Sequence, residues 1–318
     1  MQMKKKIKYS AFIVIILAII LDIGTAQYMI NFSLKPDVTA SRNIETSWNN
    51  LKNNNADIAP WIDSIRTNHI LKDTFIVSPD GCKLHAFYKN AVYPTGNTAI
   101  LIHGYTSNAI FMMNIGHIYS EYLRYNILLP DNRFHGESEG SHIQMGWKDR
   151  KDILQWMKVA QAMYGDSLAM VVHGISMGGA TTMMLSGDNL PGYVKCFVDD
   201  CGYTSVWDEF KNEMKAQFGI PPFPILYTAS ALNKIEHGWG FKEASSLKQV
   251  TKCKLPMLFI HGAEDDYVPT DMVYPLYKAK PEPKELWIVQ GAAHAEAYIT
   301  DRQAYRKRVY DFVSKYMK

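Results

Sequence analysis

Residues 171–180 read Val171-Val172-His173-Gly174-Ile175-Ser176-Met177-Gly178-Gly179-Ala180. An apolar run over residues 168–172 enters the Gly-x-Ser-x-Gly pattern, and a stretch able to form a helix leaves it. That order is the sequence form of a nucleophile elbow, a sharp strand-to-helix turn that exposes a serine hydroxyl above a sheet. The glycines have a stereochemical reason: Ser176 must adopt a strained backbone conformation, and side chains two residues to either side would crowd strand against helix. Five residues of this kind also recur by chance. The meaning of the elbow therefore depends on an acid, a base and an oxyanion site following at the right places.

Working outward, strand-like runs alternate with helical spacing. Residues 74–77 and 82–88 flank Ser78-Pro79-Asp80-Gly81 and read as a hairpin. Residues 98–102, 127–129, 168–172, 194–198, 257–260 and 285–289 read as further short strands. Helical periodicity marks residues 109–123, 147–162 and 302–316, with Ile153, Trp156 and Val159 on one face of the second. The pattern predicts an α/β fold: a mostly parallel eight-stranded sheet, helices on both faces, and the first hairpin as its antiparallel edge. Between 203 and 245 the chain is aromatic and broken by prolines, with helices expected over 203–218 and 225–232. This reads as a small helical cap inserted after the sixth strand, because ligands bind outside the carboxyl ends of parallel strands. An irregular surface crossover is the alternative.

An acyl-transfer serine needs a base to take its proton and an acid to orient that base. In elbow sites these follow in the order Ser, Asp, His. The acid is expected at Asp265, on the loop after strand 257–260, with Glu264 and Asp266 as neighbours easily confused with it. The base is expected at His294, alone among ten histidines in lying between the last strand and the final helix. The oxyanion needs two donors: the backbone N–H of Met177, at the positive end of the helix it starts, and that of Tyr105, just after His103-Gly104. The Tyr105 phenol is a weaker candidate for the acyl pocket. In residues 131–138, Arg133 and His135 are placed to touch substrate, but a loop-holding network of Asp131 and Arg133 is the plainer reading. Asp199 and Asp200 end a strand near the elbow and compete for the role of acid.

At 318 residues the chain fits one large core carrying an inserted lid. Its net charge of +3 is spread along the sequence, and the absence of a basic stripe with interleaved aromatics argues against nucleic-acid binding. Cys82, Cys196, Cys201 and Cys253 form no Cys-x-x-Cys pair and lack zinc-ligand spacing with histidines. Buried thiols are expected, with a Cys196–Cys201 disulfide the lesser reading. No metal and no cofactor is implied.

The amino end carries Lys4-Lys5-Lys6 before a continuous apolar run over 11–21, then Asp22-Ile23-Gly24-Thr25-Ala26. A signal peptide cleaved near Ala26 and an uncleaved anchor over residues 9–32 both fit. Either places the remainder across the cytoplasmic membrane, given lysines ahead of the apolar run. The favoured reading is a single cell-membrane anchor, with a secreted or periplasmic protein as the alternative. The organisation expected is 1–33 anchor or signal, 34–72 a short helical spacer packed on the core, and 73–318 the catalytic domain with its cap at about 203–245.

Taken together, His103-Gly104-Tyr105, residues 131–138, residues 174–179, residues 261–269 and His294 resemble the alpha/beta-hydrolase superfamily over residues 74–317. Within it the chain looks like the serine aminopeptidase/lysophospholipase-like (S33-type) group, and is similar to bacterial membrane-anchored hydrolases carrying a Cys-Gly-Tyr-Thr-Ser-like stretch, here residues 201–205. The resemblance implies nucleophile Ser176, acid Asp265, base His294, and oxyanion N–H groups from Tyr105 and Met177. A serine hydrolase acting on a small-molecule carboxylic ester is the leading expectation. A peptidase or amidase acting on a short peptide by the same steps comes second, and a non-catalytic envelope binding protein third.

Overall fold

The computed structural model describes the backbone of residues 2–317 and the side chains of residues 8–317, so the Lys4-Lys5-Lys6 side chains lie outside it. Eight strands form one sheet: β1 Lys72–Val77, β2 Lys83–Lys89, β3 Asn97–Ile102, β4 Asn126–Pro130, β5 Ala169–Ile175, β6 Val194–Asp200, β7 Met257–Gly262 and β8 Lys284–Val289. Their spatial order is β1-β2-β4-β3-β5-β6-β7-β8. β2 pairs antiparallel with β1 and β4, and every other pairing is parallel. The strand order reverses at β3, so the crevice beyond the carboxyl ends of β3 and β5 is where a ligand site is expected.

The principal helices, in chain order, are α1 Gln2–Leu34, α2 Ile44–Asn54, α3 Ala59–Thr67, α4 Asp149–Tyr164, α5 Met177–Ser186, α6 Val206–Phe218, α7 Ile225–His237 and α8 Arg302–Tyr316. Side chains alternate faces along a strand, and the central strands are buried on both. Leu101, Val171, Val198 and Ile260 meet Tyr305, Val309 and Phe312 of α8 on one side. Ile100, Val172, Phe197 and Phe259 meet Ile153, Trp156 and Met157 of α4 on the other. Burying a phenylalanine or methionine this completely stabilises by roughly 2–3 kcal/mol. The spacing of Ile153, Trp156, Met157 and Ala160 supplies the apolar stripe that makes α4 a covering helix.

Residues 34–68 form short helices, with Pro60 in the first turn of α3. Trp48, Leu51, Ile62 and Ile65 seat them in the same core layer as α8. The single helix expected over 109–123 is instead wound in three ways: a 3-10 turn at Ala109–Met112, an α-turn at Met113–His117 and a π-turn at Ile118–Tyr122. The cap is the helix pair α6–α7 inserted after β6. Ser205 opens α6 by accepting the Asp208 N–H on its hydroxyl. α7 runs one turn longer than its periodicity suggested, to His237. All four cysteines are free thiols, Cys82 half-buried and the others buried.

One feature escapes the sequence pattern. α1 does not leave the core as an independent rod: Ala26, Met29, Ile30 and Leu34 are buried with residues of the cap. Asp22 Oδ2 accepts the Thr228 hydroxyl at 2.6 Å, and Gln27 Nε2 donates to Glu236 at 3.3 Å, so this half of α1 runs along α7. Its end is tied down by the Ile143 N–H donating to the Leu34 carbonyl at 2.8 Å.

Candidate active site

Ser176 stands between β5 and α5 with φ 58° and ψ −120°, a conformation that ordinary residues avoid. Such strain costs about 1–3 kcal/mol and persists only where packing imposes it. The packing is visible in the flanking glycines. A Cβ at Gly174 would lie 2.0 Å from the Gly178 carbonyl oxygen, and one at Gly178 would lie 2.0 Å from that of Ile102. The elbow is thus wedged against β3 as well as against its own helix.

The three residues expected to act together are brought together from three loops at the carboxyl edge. His294 Nε2 lies 2.9 Å from Ser176 Oγ, and His294 Nδ1 lies 2.8 Å from Asp265 Oδ2. The ionised carboxylate facing Nδ1 fixes the tautomer: Nδ1 carries the hydrogen and Nε2 is free to accept from the serine. Asp265 is buried, whereas Glu264 and Asp266 are exposed, which separates it from its neighbours. Burial alone would raise its carboxyl, but hydrogen bonds from His261 and His294 outweigh that and hold it below the ordinary range. Its Oδ1 accepts the Val268 N–H at 2.9 Å, closing the loop on itself.

One support was not singled out in the sequence. His261, four residues before Asp265, places Nε2 3.3 Å from Asp265 Oδ2 and 2.9 Å from the Val268 carbonyl oxygen. The Cys201 sulfur, buried beside them, lies with ligand-type atoms of Asp265 and His294 inside a 4.8 Å cluster. Asp265 and His294 are already engaged with each other there. The cue for His261 was its place at the end of β7, one helical turn's spacing from the acid.

The His103-Gly104-Tyr105 loop lies against the elbow, since a Cβ at Gly104 would sit 3.4 Å from that of Ser176. Tyr105 and Met177 both line the cavity that reaches Ser176. The Tyr105 phenol does lean toward the cavity but donates to the Ser33 carbonyl of α1 at 2.8 Å. Arg133 and His135 do not line it. Arg133 bridges Asp80 and Asp152, and His135 Nε2 accepts the Thr106 N–H at 3.1 Å. Asp131 accepts from His85 and from the Ala109 N–H. These groups form a loop-holding network.

Asp199 and Asp200 are fully buried. Asp200 accepts the Tyr305 hydroxyl at 2.8 Å, and that hydroxyl also contacts His173, which reaches Tyr119. Burial pushes Asp200 up to about 6 and Asp199 up to about 8, the latter with only the Gly202 N–H as a partner for Oδ1. An unfolded aspartate titrates near 3.9, at about pH 4. At these two aspartates the native state therefore retains protons that the unfolded chain releases, and their contribution to stability falls as pH rises through that window toward about 8. His103, His117, His135, His142, His173 and His237, which burial holds below the ordinary imidazole range, contribute in the opposite sense up to about pH 6.5. The test is therefore differential: the Tm of Asp199→Asn relative to wild type should rise between about pH 5 and 8. An unchanged slope in that variant contradicts the assignment.

The cavity, of about 530 Å³, is walled by Met29, Ile30 and Phe32 of α1, Phe210 and Met214 of α6, and Leu226 of α7, with Ser176 at its floor. Glu209 also faces it. Burial raises that carboxyl well above its usual range, and its Oε2 has no hydrogen-bond partner.

A family model described as the prolyl oligopeptidase family matches residues 134–318, a span that includes Ser176, Asp265 and His294. The uncharacterized protein YqkD of Bacillus subtilis is 30% identical over 226 residues, covering 71% of this chain and 74% of that protein. The alpha/beta hydrolase domain-containing protein WAV2 of Arabidopsis thaliana is 26% identical over 265 residues, covering 80% and 82%. Among solved structures, the Pyrococcus furiosus esterase Pf2001 superposes with a TM-score of 0.65 at 23% identity, covering 80% of this chain and 96% of that one. At that identity the likeness speaks to the fold alone.

Proposed function

Because the chain belongs to the prolyl oligopeptidase family, within the alpha/beta-hydrolase superfamily, we propose that it is a serine hydrolase cleaving carboxylic esters through an acyl-enzyme. The observation that carries this reading is the unbroken hydrogen-bond chain Ser176–His294–Asp265 at the floor of a largely apolar cavity. Ser176 Oγ attacks the ester carbonyl carbon while its proton passes to His294 Nε2. The oxyanion is held by the N–H groups of Tyr105 and Met177, which is worth several kcal/mol in a water-poor site. Asp265 keeps the imidazole in the required tautomer and stabilises its cation. His294 then protonates the departing alkoxide, and a water deprotonated by the same nitrogen releases the acyl group.

The apolar walls favour an acyl chain of medium length. Each methylene taken from water is worth about 0.8 kcal/mol, so kcat/KM across p-nitrophenyl esters should rise roughly fourfold per added carbon until the cavity is full. The second reading is a peptidase acting on short peptides, favoured by the family description and by Glu209 on the cavity wall. Aminoacyl p-nitroanilides tested beside the esters decide between them: anilides ahead by more than about tenfold, or 1.4 kcal/mol, overturn the ester reading.

We further infer a membrane-anchored protein, in line with the serine aminopeptidase/lysophospholipase-like resemblance, with the catalytic part outside the cytoplasm. α1 is long and apolar enough to cross a bilayer, with mean hydropathy 2.2 over its best window. Ala26, in the small-residue stretch that a signal peptidase would cut, is buried inside a helix that continues to Leu34. That favours the uncleaved anchor.

A further inference from the structure

We propose that the cap seats in the headgroup layer of the bilayer that α1 crosses, and that the cavity takes the acyl chain of a membrane amphiphile. The proposal deepens the ester-hydrolase and anchor readings above and rests on them.

The first argument is length. The freely exposed apolar part of α1 runs over residues 9–21. Thirteen residues at 1.5 Å per residue span roughly 20 Å, whereas the hydrocarbon core is about 30 Å thick. The lysines before residue 9 are poor candidates for the missing 10 Å. The next seven residues, 22–28, can supply it, but they are the ones laid along α7. Submerging them brings α7 and the link before it to the membrane surface. The one carboxylate in that segment, Asp22, already has the Thr228 hydroxyl as a partner, which lessens the cost of a charge at this depth.

The second argument is what the cap shows to solvent there. Phe223, in the link between α6 and α7, is 72% exposed, and Ile235 on α7 is 80% exposed. Tyr227 of α7 and Tyr28 of α1 are also exposed. Isolated apolar side chains on a surface need no explanation, but here they share the helix pair that the membrane segment itself continues. Aromatic side chains of this kind are enriched at the interface of water and lipid.

The third argument joins this face to the chemistry. α1 is at once the membrane segment and a wall of the cavity, through Met29, Ile30, Phe32 and Ser33. Phe32 and Phe218 line the cavity while 46% and 41% exposed, which puts them at its rim, and their rings meet edge-to-face with centroids 5.6 Å apart. An acyl chain leaving the bilayer beside α1 meets an apolar rim, then apolar walls, then Ser176. The substrate class indicated is a carboxylic ester of a lipid-like amphiphile, presented from the membrane rather than from bulk water.

The test uses the full-length chain in phosphatidylcholine vesicles with brominated acyl chains. In a Cys82→Ser background, where the remaining cysteines are buried, Phe223→Cys and, separately, Val77→Cys carry an environment-sensitive fluorophore. Val77 is 71% exposed on the edge strand β1 and serves as the solvent reference. Strong quenching at 223 with little at 77 is expected; equal quenching at both means that the bilayer thins around α1 instead, and overturns the proposal. A Phe223→Ser/Ile235→Ser variant adds a functional readout. It should turn over p-nitrophenyl acetate like the wild type, yet lose about tenfold against a long-chain monoacyl ester embedded in the vesicles, because interfacial seating scales with apolar area. An equal change on both substrates also overturns it. Wild-type protein inert on the acetate counts against the ester reading instead, while the fluorophore arm still decides the seating.

Discussion

Replacing Ser176 by alanine is expected to lower kcat on the best p-nitrophenyl ester by about 10⁵-fold, the scale at which serine triads lose their nucleophile. The residue that remains keeps its Cβ, so the positive φ at 176 is imposed on alanine as it was on serine. The wedge of Gly174 and Gly178 against neighbouring carbonyls is untouched. Tm should therefore stay within about 1 °C, an amount matching roughly 0.7 kcal/mol for a chain of this size. A loss of activity with unchanged Tm isolates the hydroxyl. Retention of more than about 1% of the wild-type rate contradicts the nucleophile assignment.

Asp265→Asn is expected to cut kcat by about 10⁴-fold with little change in KM. Asparagine preserves the shape, and its oxygen still accepts from the Val268 N–H. The amide nitrogen, however, donates toward His294 Nδ1, which drives the ring hydrogen to Nε2, where it blocks transfer from Ser176. The paired control is Asp200→Asn. Its carboxyl is committed to Tyr305, and His294 addresses Asp265 instead. The control should keep activity within about tenfold, the effect of a change that acts through packing alone. If Asp200→Asn is the more damaging of the two, the acid has been misassigned.

The elbow and the sheet were legible because both are written in local patterns. Glycines at 174 and 178 report a close approach that only a backbone without Cβ allows, and alternating apolar runs report strands buried on both faces. The carboxylate that meets His294 was one of several candidates in the sequence, with Glu264 and Asp266 beside Asp265 and with Asp199 and Asp200 on another strand. Glu264, Asp265 and Asp266 are chemically alike and adjacent, and what separates them is burial and the direction each points from the end of β7. His261 was hidden for the same reason, since its contact with Asp265 arises from the turn and not from composition. The helical run over 109–123 misled because periodicity does not distinguish an α-turn from the 3-10 and π turns on either side of it.

The largest gap concerned α1. Hydropathy identifies a long apolar segment but carries no information on contacts two hundred residues away. Met29 and Ile30 wall the cavity by packing against the cap, and the same helix is joined to distant segments by Asp22 with Thr228 and by Tyr105 with the Ser33 carbonyl. The segment read as a tether also walls the cavity that reaches Ser176, so truncating it would open that cavity.

If Ser176 is an activated nucleophile, it should react covalently with a probe that phosphonylates such serines. The most direct measurement is covalent labelling of the full-length protein in detergent by a fluorophosphonate, with the adduct located by peptide mass spectrometry. One adduct is expected, on the peptide containing Ser176, and it should be absent in Ser176→Ala. Wild-type protein that stays unlabelled, or an adduct that persists in the alanine variant, would contradict that assignment.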